Sequence, residues 1–368
     1  MILRMIYKWP AALMLAAAVM IISSCNKNVP DPIPIEYPVG EGSSIGELLN
    51  NPNYSLLKTA VSRVPGLLDQ LNNKNTVYTV FAPDNAAFGR VGITTDAQIN
   101  GLPLTTLVPL IQYHVIPGQE LVSTAIPDSF PNAQMPTAFT LPAPNTNPLV
   151  KMTTFPSRRG GNAFVNNIPV VAADIQAANG VVHGVFVPVF PPTRVLVDTL
   201  ARDTSLSYLI AAVTRADLGL PAGSKYAQLL ANPALNFTVF APTNDAFRGL
   251  LTTLGLPDDI SSINILPIPT LIAVVGYHIH IKDNTRPTSG SVQPFTGSRA
   301  FSVNLPVNPT PVNTWLKVLL APNPAPPLVI AGATVKGFVN PTPSNIIAVD
   351  RNCVNGVFHK IDQVLLPQ

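Results

Sequence analysis

Apolar residues recur at helical spacing in two long segments of the chain. In the first, SIGELLNNPNYSLLKTAVSRVPGLLDQL, one helical face collects Leu56, Leu57, Ala60, Val61 and Val64. The later segment VLVDTLARDTSLSYLIAAVTRADLGL repeats the pattern. Each segment therefore predicts a group of helices with one buried face, and the pair predicts a repeated unit.

The stretch TVFAP follows both helical segments, at Thr79–Pro83 and again 159 positions later at Thr238–Pro242. Its β-rich residues predict a short strand, which the proline ends because a proline nitrogen cannot donate a hydrogen bond to a sheet. Asp84 and Thr243 come next and have the side-chain oxygens that favour the start of a helix. We therefore expect a strand-to-helix corner, with its aromatic residues packed inward, in each copy.

Two further motifs recur in the same order. A Tyr-His pair follows an apolar helix-like run at Tyr113 and again at Tyr277, and an Asn-Gly pair begins the last hairpin at Asn179 and again at Asn355. Asn-Gly is a strong hairpin signal because both residues tolerate a positive φ. The spacing between copies grows from 159 to 164 and then 176 positions, so loops gained residues while the elements kept their order. This pattern indicates a tandem duplication of a whole domain.

The additional residues of the second copy lie mainly between Asp283 and Ser344, where dense prolines favour extended loops and edge strands. In the first copy, SRRGG at Ser157–Gly161 predicts the tip of a hairpin with solvated arginines.

The N-terminal segment has the pattern of an export signal. Arg4 and Lys8 precede twelve apolar residues, Ala11–Ile22, which are too few to span a bilayer. ISSC at its end resembles the lipobox of bacterial lipoproteins, and this resemblance implies a signal peptide at 1–24 and acylation of Cys25; an ordinary signal peptide is the alternative. Asn26, where many inner-membrane lipoproteins have Asp, favours the outer membrane and leaves its periplasmic or surface face open.

Residues 25–41 predict a stiff tether between this anchor and the folded part. Pro30, Pro32, Pro34 and Pro38 favour a polyproline II chain that reaches about 45 Å. The formal net charge of the 368-residue chain is +3, and it is +1 without Arg4 and Lys8, so the overall charge predicts no polyanionic partner and no nucleic acid. With Cys25 acylated, Cys353 is the remaining thiol, and its apolar surroundings predict a buried, unreactive side chain.

The helical lead-in, TVFAPxNxAF, the Tyr-His pair and NGVxH resemble the fasciclin domain, in two copies that cover 42–192 and 193–368. The resemblance implies an α+β fold of two tandem domains, each a wedge of β-strands with helices packed at one side. It also implies adhesion or extracellular binding without catalysis. The pair tied to partner binding in that family carries over to Tyr113, His114, Tyr277 and His278.

The residues themselves leave two roles open for each Tyr-His pair. If the pair lies on a strand, adjacent side chains point to opposite faces, so one ring is buried and the other is nearer solvent. The exposed ring would be a contact residue, or the histidine would be a buried strut that hydrogen-bonds through both ring nitrogens. His183 and His359 also recur and are expected near the same corner.

Signals for catalysis or for a metal are weak. His278 and His280 would share one strand face, but Ile116 takes the place of His280 in the first copy, so we predict no metal site and no cofactor. Cys353 and His359 have no orienting carboxylate nearby in the sequence, and no glycine-rich phosphate loop occurs. The chain is therefore not expected to be an enzyme.

Together these patterns predict a lipid-anchored binding protein of the bacterial cell envelope that contacts a protein or a polysaccharide. The alternative is a glycan-capture component of a nutrient-uptake system that uses the insertion loops. Trp315 lies in such an insertion, and an exposed tryptophan there would stack on a sugar ring.

Overall fold

The computed structural model describes residues 41–128, 130, 134–141, 150–281, 299–321, 323 and 325–368. The predicted signal peptide, Cys25 and all of the predicted tether except Glu41 lie outside these residues. All the described residues belong to one compact unit, Val39–Gln368.

Twelve α-helices are present in the described residues, besides six short 3-10 helices. They are α1 (Ile45–Leu48), α2 (Ser55–Ser62), α3 (Leu67–Asn72), α4 (Asn85–Arg90), α5 (Asp96–Gly101), α6 (Leu104–Tyr113), α7 (Leu196–Arg202), α8 (Ser207–Ala216), α9 (Tyr226–Ala231), α10 (Asn244–Thr253), α11 (Ile268–Tyr277) and α12 (Trp315–Leu320). The first six precede or flank the first sheet and the other six belong to the second copy, as the repeated apolar pattern predicts.

The same residues form fifteen strands. They are β1 (Tyr78–Pro83), β2 (Val115–Pro117), β3 (Met135–Thr140), β4 (Lys151–Thr154), β5 (Pro156–Arg159), β6 (Asn162–Val165), β7 (Ile168–Ala177), β8 (Gly180–Val185), β9 (Phe237–Pro242), β10 (Ile279–His280), β11 (Thr310–Val312), β12 (Leu328–Ala331), β13 (Thr334–Lys336), β14 (Ser344–Cys353) and β15 (Gly356–Ile361).

The strands form one large sheet in each copy and a separate pair, β3 with β4. The first sheet has the order β2-β1-β8-β7-β6-β5, and the second has β10-β9-β15-β14-β13-β12-β11. In both sheets the TVFAP strand runs parallel to the last strand and antiparallel to the short strand after the Tyr-His helix. The shared order and orientation confirm the predicted duplication.

The TVFAP corners are built as predicted. β1 and β9 end at Pro83 and Pro242, and the next residue caps the following helix. Asp84 Oδ1 accepts a hydrogen bond from Ala87 N at 2.7 Å, and Thr243 Oγ1 accepts one from Ala246 N at 3.3 Å. Each cap satisfies a backbone N–H that has no partner within its own helix.

Alternation along the TVFAP strand divides the core into two layers. In the first copy Val80 faces the helices, where all the residues predicted for the buried face of the lead-in helix are at most 5% exposed. Phe81 faces the opposite side and packs among residues such as Tyr113 and Met152. The second copy places Val239 and Phe240 in the same way. This arrangement confirms the α+β fold with helices packed on a β wedge.

The Asn-Gly hairpins form, but the reason predicted for the asparagine is wrong. Among the described residues Gly180 has a positive φ of 129°, whereas neither Asn179 nor Asn355 has one. Asn179 is 1% exposed and its amide holds three backbone groups: Ile45 N donates to Oδ1 at 2.8 Å, and Nδ2 donates to Leu71 O and Asn73 O at 2.8 and 3.1 Å. The asparagine therefore joins the hairpin to the N-terminal helices.

Asn355 forms the equivalent set in the second copy. Leu196 N donates to its Oδ1 at 2.8 Å, and its Nδ2 donates to Leu230 O and Asn232 O at 2.9 and 3.0 Å. Its exposed fraction is 0%. The buried amide, rather than the turn geometry, explains why asparagine recurs at this position.

Candidate functional site

The Tyr-His pairs lie at the ends of helices. Tyr113 and Tyr277 are the last residues of α6 and α11, and His114 and His278 are the C-cap residues that follow. All four side chains are at most 1% exposed. The expectation that one ring of each pair would be nearer solvent is therefore wrong, because strand alternation does not apply at a helix end.

The two tyrosines connect the helix end to the β wedge. Tyr113 Oη donates a hydrogen bond to Thr153 O at 2.9 Å, and Tyr277 Oη donates to Pro327 O at 2.7 Å. Burial raises the pKa of both phenols, that of Tyr277 to about 12, so both hydroxyls stay protonated at neutral pH. Both phenols thus serve as hydrogen-bond donors within the core.

The two histidines are struts. In His114, Nδ1 donates to Leu110 O at 2.7 Å and Nε2 accepts from Val189 N at 2.8 Å. In His278 the partners are Val274 O at 2.7 Å and Leu365 N at 2.9 Å. Burial lowers the pKa of each imidazole to about 4, so both are neutral. The strut interpretation is confirmed, although each histidine joins a helix to the segment after the last strand rather than two strands.

A second recurring set, which the sequence did not predict as a unit, joins Ser123, Asp174 and His183. Ser123 N donates to Asp174 Oδ1 at 2.7 Å, and the Ser123 hydroxyl donates to the other carboxylate oxygen. Asp174 N donates to His183 Nδ1 at 3.2 Å, and His183 Nε2 donates to Leu121 O at 2.8 Å. Backbone groups therefore occupy both ring nitrogens, and neither is left to take a proton from the serine.

Ser302, Asp350 and His359 repeat this set in the second copy. Asp350 N donates to His359 Nδ1 at 3.3 Å and His359 Nε2 donates to Ala300 O at 2.8 Å. Both aspartates have a positive φ, 60° for Asp174 and 62° for Asp350. The rings of His183 and His359 stack on the TVFAP phenylalanines, with centroids 5.5 and 5.7 Å apart, which confirms their expected place near the corner.

His280 does not pair with His278 around a metal. Both nitrogens of His278 already bond to the backbone, and His280 Nδ1 donates to Asn313 O at 2.8 Å. In the part of the chain that the structure describes, no group of three or more His, Cys, Asp or Glu side chains is placed to hold a metal ion.

Trp315 and Cys353 are both buried. Trp315 begins α12, is 3% exposed and packs edge-on against Phe237, with ring centroids 5.7 Å apart. The expectation that Trp315 would present an exposed ring to a sugar is therefore wrong, because its insertion folds onto the helix-side core. Cys353 is 0% exposed, which confirms that it is buried, and burial raises the pKa of its thiol; its low reactivity stays a prediction. Cys25 lies outside the described residues, and its role as an anchor stays a prediction.

The junction between the two copies centres on Arg299, which the sequence did not single out. Arg299 is 2% exposed, and its guanidinium donates to Asn236 Oδ1, Asn352 Oδ1 and Val354 O at 2.9, 2.8 and 3.0 Å. Burial lowers its pKa to about 10, so it remains a cation at neutral pH. Its guanidinium lies over the ring of Phe155 in the first copy.

Other contacts extend this junction. Phe155 also packs against Phe301, with centroids 6.1 Å apart, and Arg159 Nη1 donates to the carbonyls of Ser302 and Val303 at 3.3 Å each. The predicted hairpin tip at Ser157–Gly161 forms, but Arg159 is half-buried in this junction rather than solvated. Phe130 of the first copy stacks on His280, with centroids 5.6 Å apart.

No helix among the described residues is both long enough and apolar enough to cross a membrane.

Comparison with known proteins gives the family. The fasciclin domain model matches residues 52–188 and 218–367. The transforming growth factor-beta-induced protein ig-h3 of Sus scrofa is 30% identical over 153 residues, which are 42% of this chain and 20% of that protein. The Synechocystis protein sll1483 is 29% identical over 143 residues, 39% of this chain and 69% of that protein.

A solved FAS1 domain pair from the insect cell adhesion molecule fasciclin I aligns at 17% identity with a TM-score of 0.35, covering 87% of this chain and 95% of that one. This similarity is too low to bear on function. The family model alone matches well over half of the chain, in two segments that each contain a TVFAP corner and an Asn-Gly hairpin. The chain belongs to the fasciclin domain family and carries two copies of the domain in tandem.

Proposed function

We propose that this chain is a non-catalytic adhesion or binding protein of the bacterial cell envelope, lipid-anchored through Cys25 and in contact with a protein or a polysaccharide. Fasciclin domains are associated with cell adhesion and binding, and proteins that contain them are generally not enzymes. The lipid anchor, the location in the cell envelope and the class of partner go beyond that general role.

One observation carries the proposal. The recurring side chains with reactive potential, namely the Tyr-His pairs and the Ser-Asp-His sets, are bonded within each domain, mostly to the backbone. They brace the fold, so recognition is left to surfaces that the duplication did not preserve. The buried tyrosines and histidines at Tyr113, His114, Tyr277 and His278 then affect binding through the shape of the domain.

Two measurements test the proposal. Labelling of cells with a radioactive fatty acid should mark the full chain and should fail for the Cys25→Ser variant. The purified full chain should also sediment with envelope fragments, and treatment of the fragments with protease or with periodate should tell whether a protein or a polysaccharide retains it. Label that persists in Cys25→Ser contradicts anchoring at Cys25, and no retention by any envelope fraction contradicts the binding role.

A further inference from the structure

The second domain has an open groove of about 270 Å³ between α7 and the β14–β15 hairpin. Its lining residues are Thr199, Arg202, Asp203, Thr204, Arg351 and Phe358. Arg202, Thr204 and Arg351 are exposed, whereas Phe358 is 1% exposed. The accessible wall of the groove therefore combines the polar ends of these exposed side chains with their apolar portions.

The groove has two positive charges without a protein counter-ion. Within the described ranges neither Arg202 nor Arg351 forms an ion pair or a side-chain hydrogen bond, and Asp198, one turn earlier on α7, does not come within 4 Å of Arg202. Arginine side chains left in this state on a groove wall favour an anionic ligand, because a guanidinium offers a planar set of donors that matches a carboxylate.

Asp203 does not neutralise these arginines, because its carboxylate is already bound. Lys360 Nζ lies 2.5 Å from Asp203 Oδ2, and Ser205 donates to Oδ1 through N at 3.1 Å and through Oγ at 2.7 Å. Burial by itself would raise the pKa of Asp203, but the hydrogen bonds from Lys360 and Ser205 outweigh it and lower the pKa. The charges of Asp203 and Lys360 thus neutralise each other, and Arg202 and Arg351 give the groove a net positive charge.

At the corresponding positions, the first domain has no arginines. Ile45 N in α1 and Leu196 N in α7 donate to the equivalent asparagines of the two domains, so these two helices correspond. Leu48 then corresponds to Thr199, and Asn51 corresponds to Arg202. On the last hairpin, Arg351 pairs with Phe358 in the second domain, and Ile175 pairs with Val182 in the first. Ile175 therefore corresponds to Arg351. Leu48 and Ile175 pack against the apolar core of the first domain. The fold therefore does not need the arginines.

We propose that the groove between Arg202 and Arg351 binds an acidic polysaccharide through the carboxylate of a uronic acid residue. The carboxylate accepts hydrogen bonds from the two guanidinium groups. The Thr204 hydroxyl is exposed and bonds to a sugar hydroxyl. This inference rests on the proposed function and narrows its partner to one chemical class.

The lining favours a sugar over an acidic peptide. The exposed side chains of the lining, Arg202, Thr204 and Arg351, all end in hydrogen-bond donors, and their aliphatic portions supply the apolar part of the wall. A sugar acid presents hydroxyls around its carboxylate, which the exposed threonine and the guanidinium groups can bond.

Calorimetric titration of the full chain with a galacturonic acid oligomer of defined length tests the inference. Arg202→Gln and Arg351→Gln should each weaken binding about tenfold, and the double variant should abolish it, because each change removes charge-assisted hydrogen bonds. Arg194→Gln is the matched control: it removes an exposed arginine of the same region that does not line the groove, and it should leave binding unchanged. Binding should also weaken as salt is added.

Three results would overturn the inference. They are equal binding by the double variant and the wild-type chain, equal binding of the methyl-esterified oligomer, and tighter binding of a glutamate peptide. The thermal transition of each variant shows that it is folded, which is expected because both arginines are exposed. If the oligomer fails to bind while the chain still sediments with envelope fragments, the inference is wrong and the proposed function stands; loss of both contradicts both.

Discussion

The guanidinium of Arg299 lies 4.6 Å from the centre of the Phe155 ring, and the two residues come from different fasciclin domains. Arg299 is 2% exposed and Phe155 is 0% exposed. A desolvated cation over an aromatic ring is a stronger contact than the same pair in water, because water no longer competes for the charge. This contact makes the second domain depend on the first for the environment of a buried cation.

A double-mutant cycle with Phe155→Leu and Arg299→Met should therefore give a coupling energy of about 2 kcal/mol in the free energy of unfolding. Urea denaturation of the wild-type chain, both single variants and the double variant measures it. Arg90 and Phe186 form the control pair: the guanidinium is 4.1 Å from the ring centre, but Phe186 is 43% exposed. Their cycle should give about 0.5 kcal/mol. Equal coupling in both cycles would contradict the importance of burial.

Asn355→Ala should destabilise the second domain by about 3 kcal/mol or more. The change leaves Leu196 N and Leu230 O without their partner in a buried site, at a cost of about 1 to 3 kcal/mol each, and also removes the partly buried bond to Asn232 O. Asn179→Ala should have a similar effect in the first domain. Asn75→Ala, at an exposed position, should change the free energy of unfolding by less than about 0.5 kcal/mol. If Asn355→Ala and Asn75→Ala have equal effects, the bracing role of the buried amide is wrong.

Stability should fall as the solution is acidified below about pH 6.5, the ordinary pKa of histidine. The folded-state pKa of His114 and of His278 is about 4, so the unfolded chain binds a proton that the native state rejects. The stabilisation is complete above pH 6.5 and is lost as pH falls toward and below 4, by an amount on the order of 3 kcal/mol for each histidine.

Urea denaturation at a series of pH values measures this dependence. His278→Gln should lower stability at pH 7, because Leu365 N loses its acceptor, and should make the curve less steep between pH 6.5 and 4. An unchanged slope in this variant would mean that His278 does not titrate as its burial requires.

Cys353 should be unreactive in the folded chain. Its thiol is 0% exposed and its pKa is raised by burial, so both access and the thiolate fraction are low. In the Cys25→Ser variant, a thiol-specific disulfide reagent should release no rapid product at pH 8 and one equivalent after denaturation. A full equivalent from the native variant would contradict the buried position.

Periodic and local patterns in the sequence were sufficient for much of the fold. The spacing of Leu56, Leu57 and Ala60 identified a buried helical face because the side-chain period of a helix can be read directly from the chain. TVFAP followed by Asp84 or Thr243 identified the corner because proline and the capping oxygen act within a few residues. Repetition of both then identified two domains.

The tertiary structure decided the roles of individual side chains. Tyr113 and His114 resemble strand residues in sequence, but they end a helix that packs over the sheet, so both are buried. Trp315 lies in a proline-rich insertion that folds back onto the core. Arg299 and Phe155 are 144 positions apart, and nothing in the local sequence of either residue specifies their contact.

The sequence by itself thus determined which elements form and that they form twice, because hydrogen bonding and side-chain periodicity act over short distances along the chain. Only the tertiary structure decided which polar side chains form hydrogen bonds inside the domains and which, such as Arg202 and Arg351, remain exposed on the surface. Burial and pairing depend on residues far apart in the chain, and no local pattern records them.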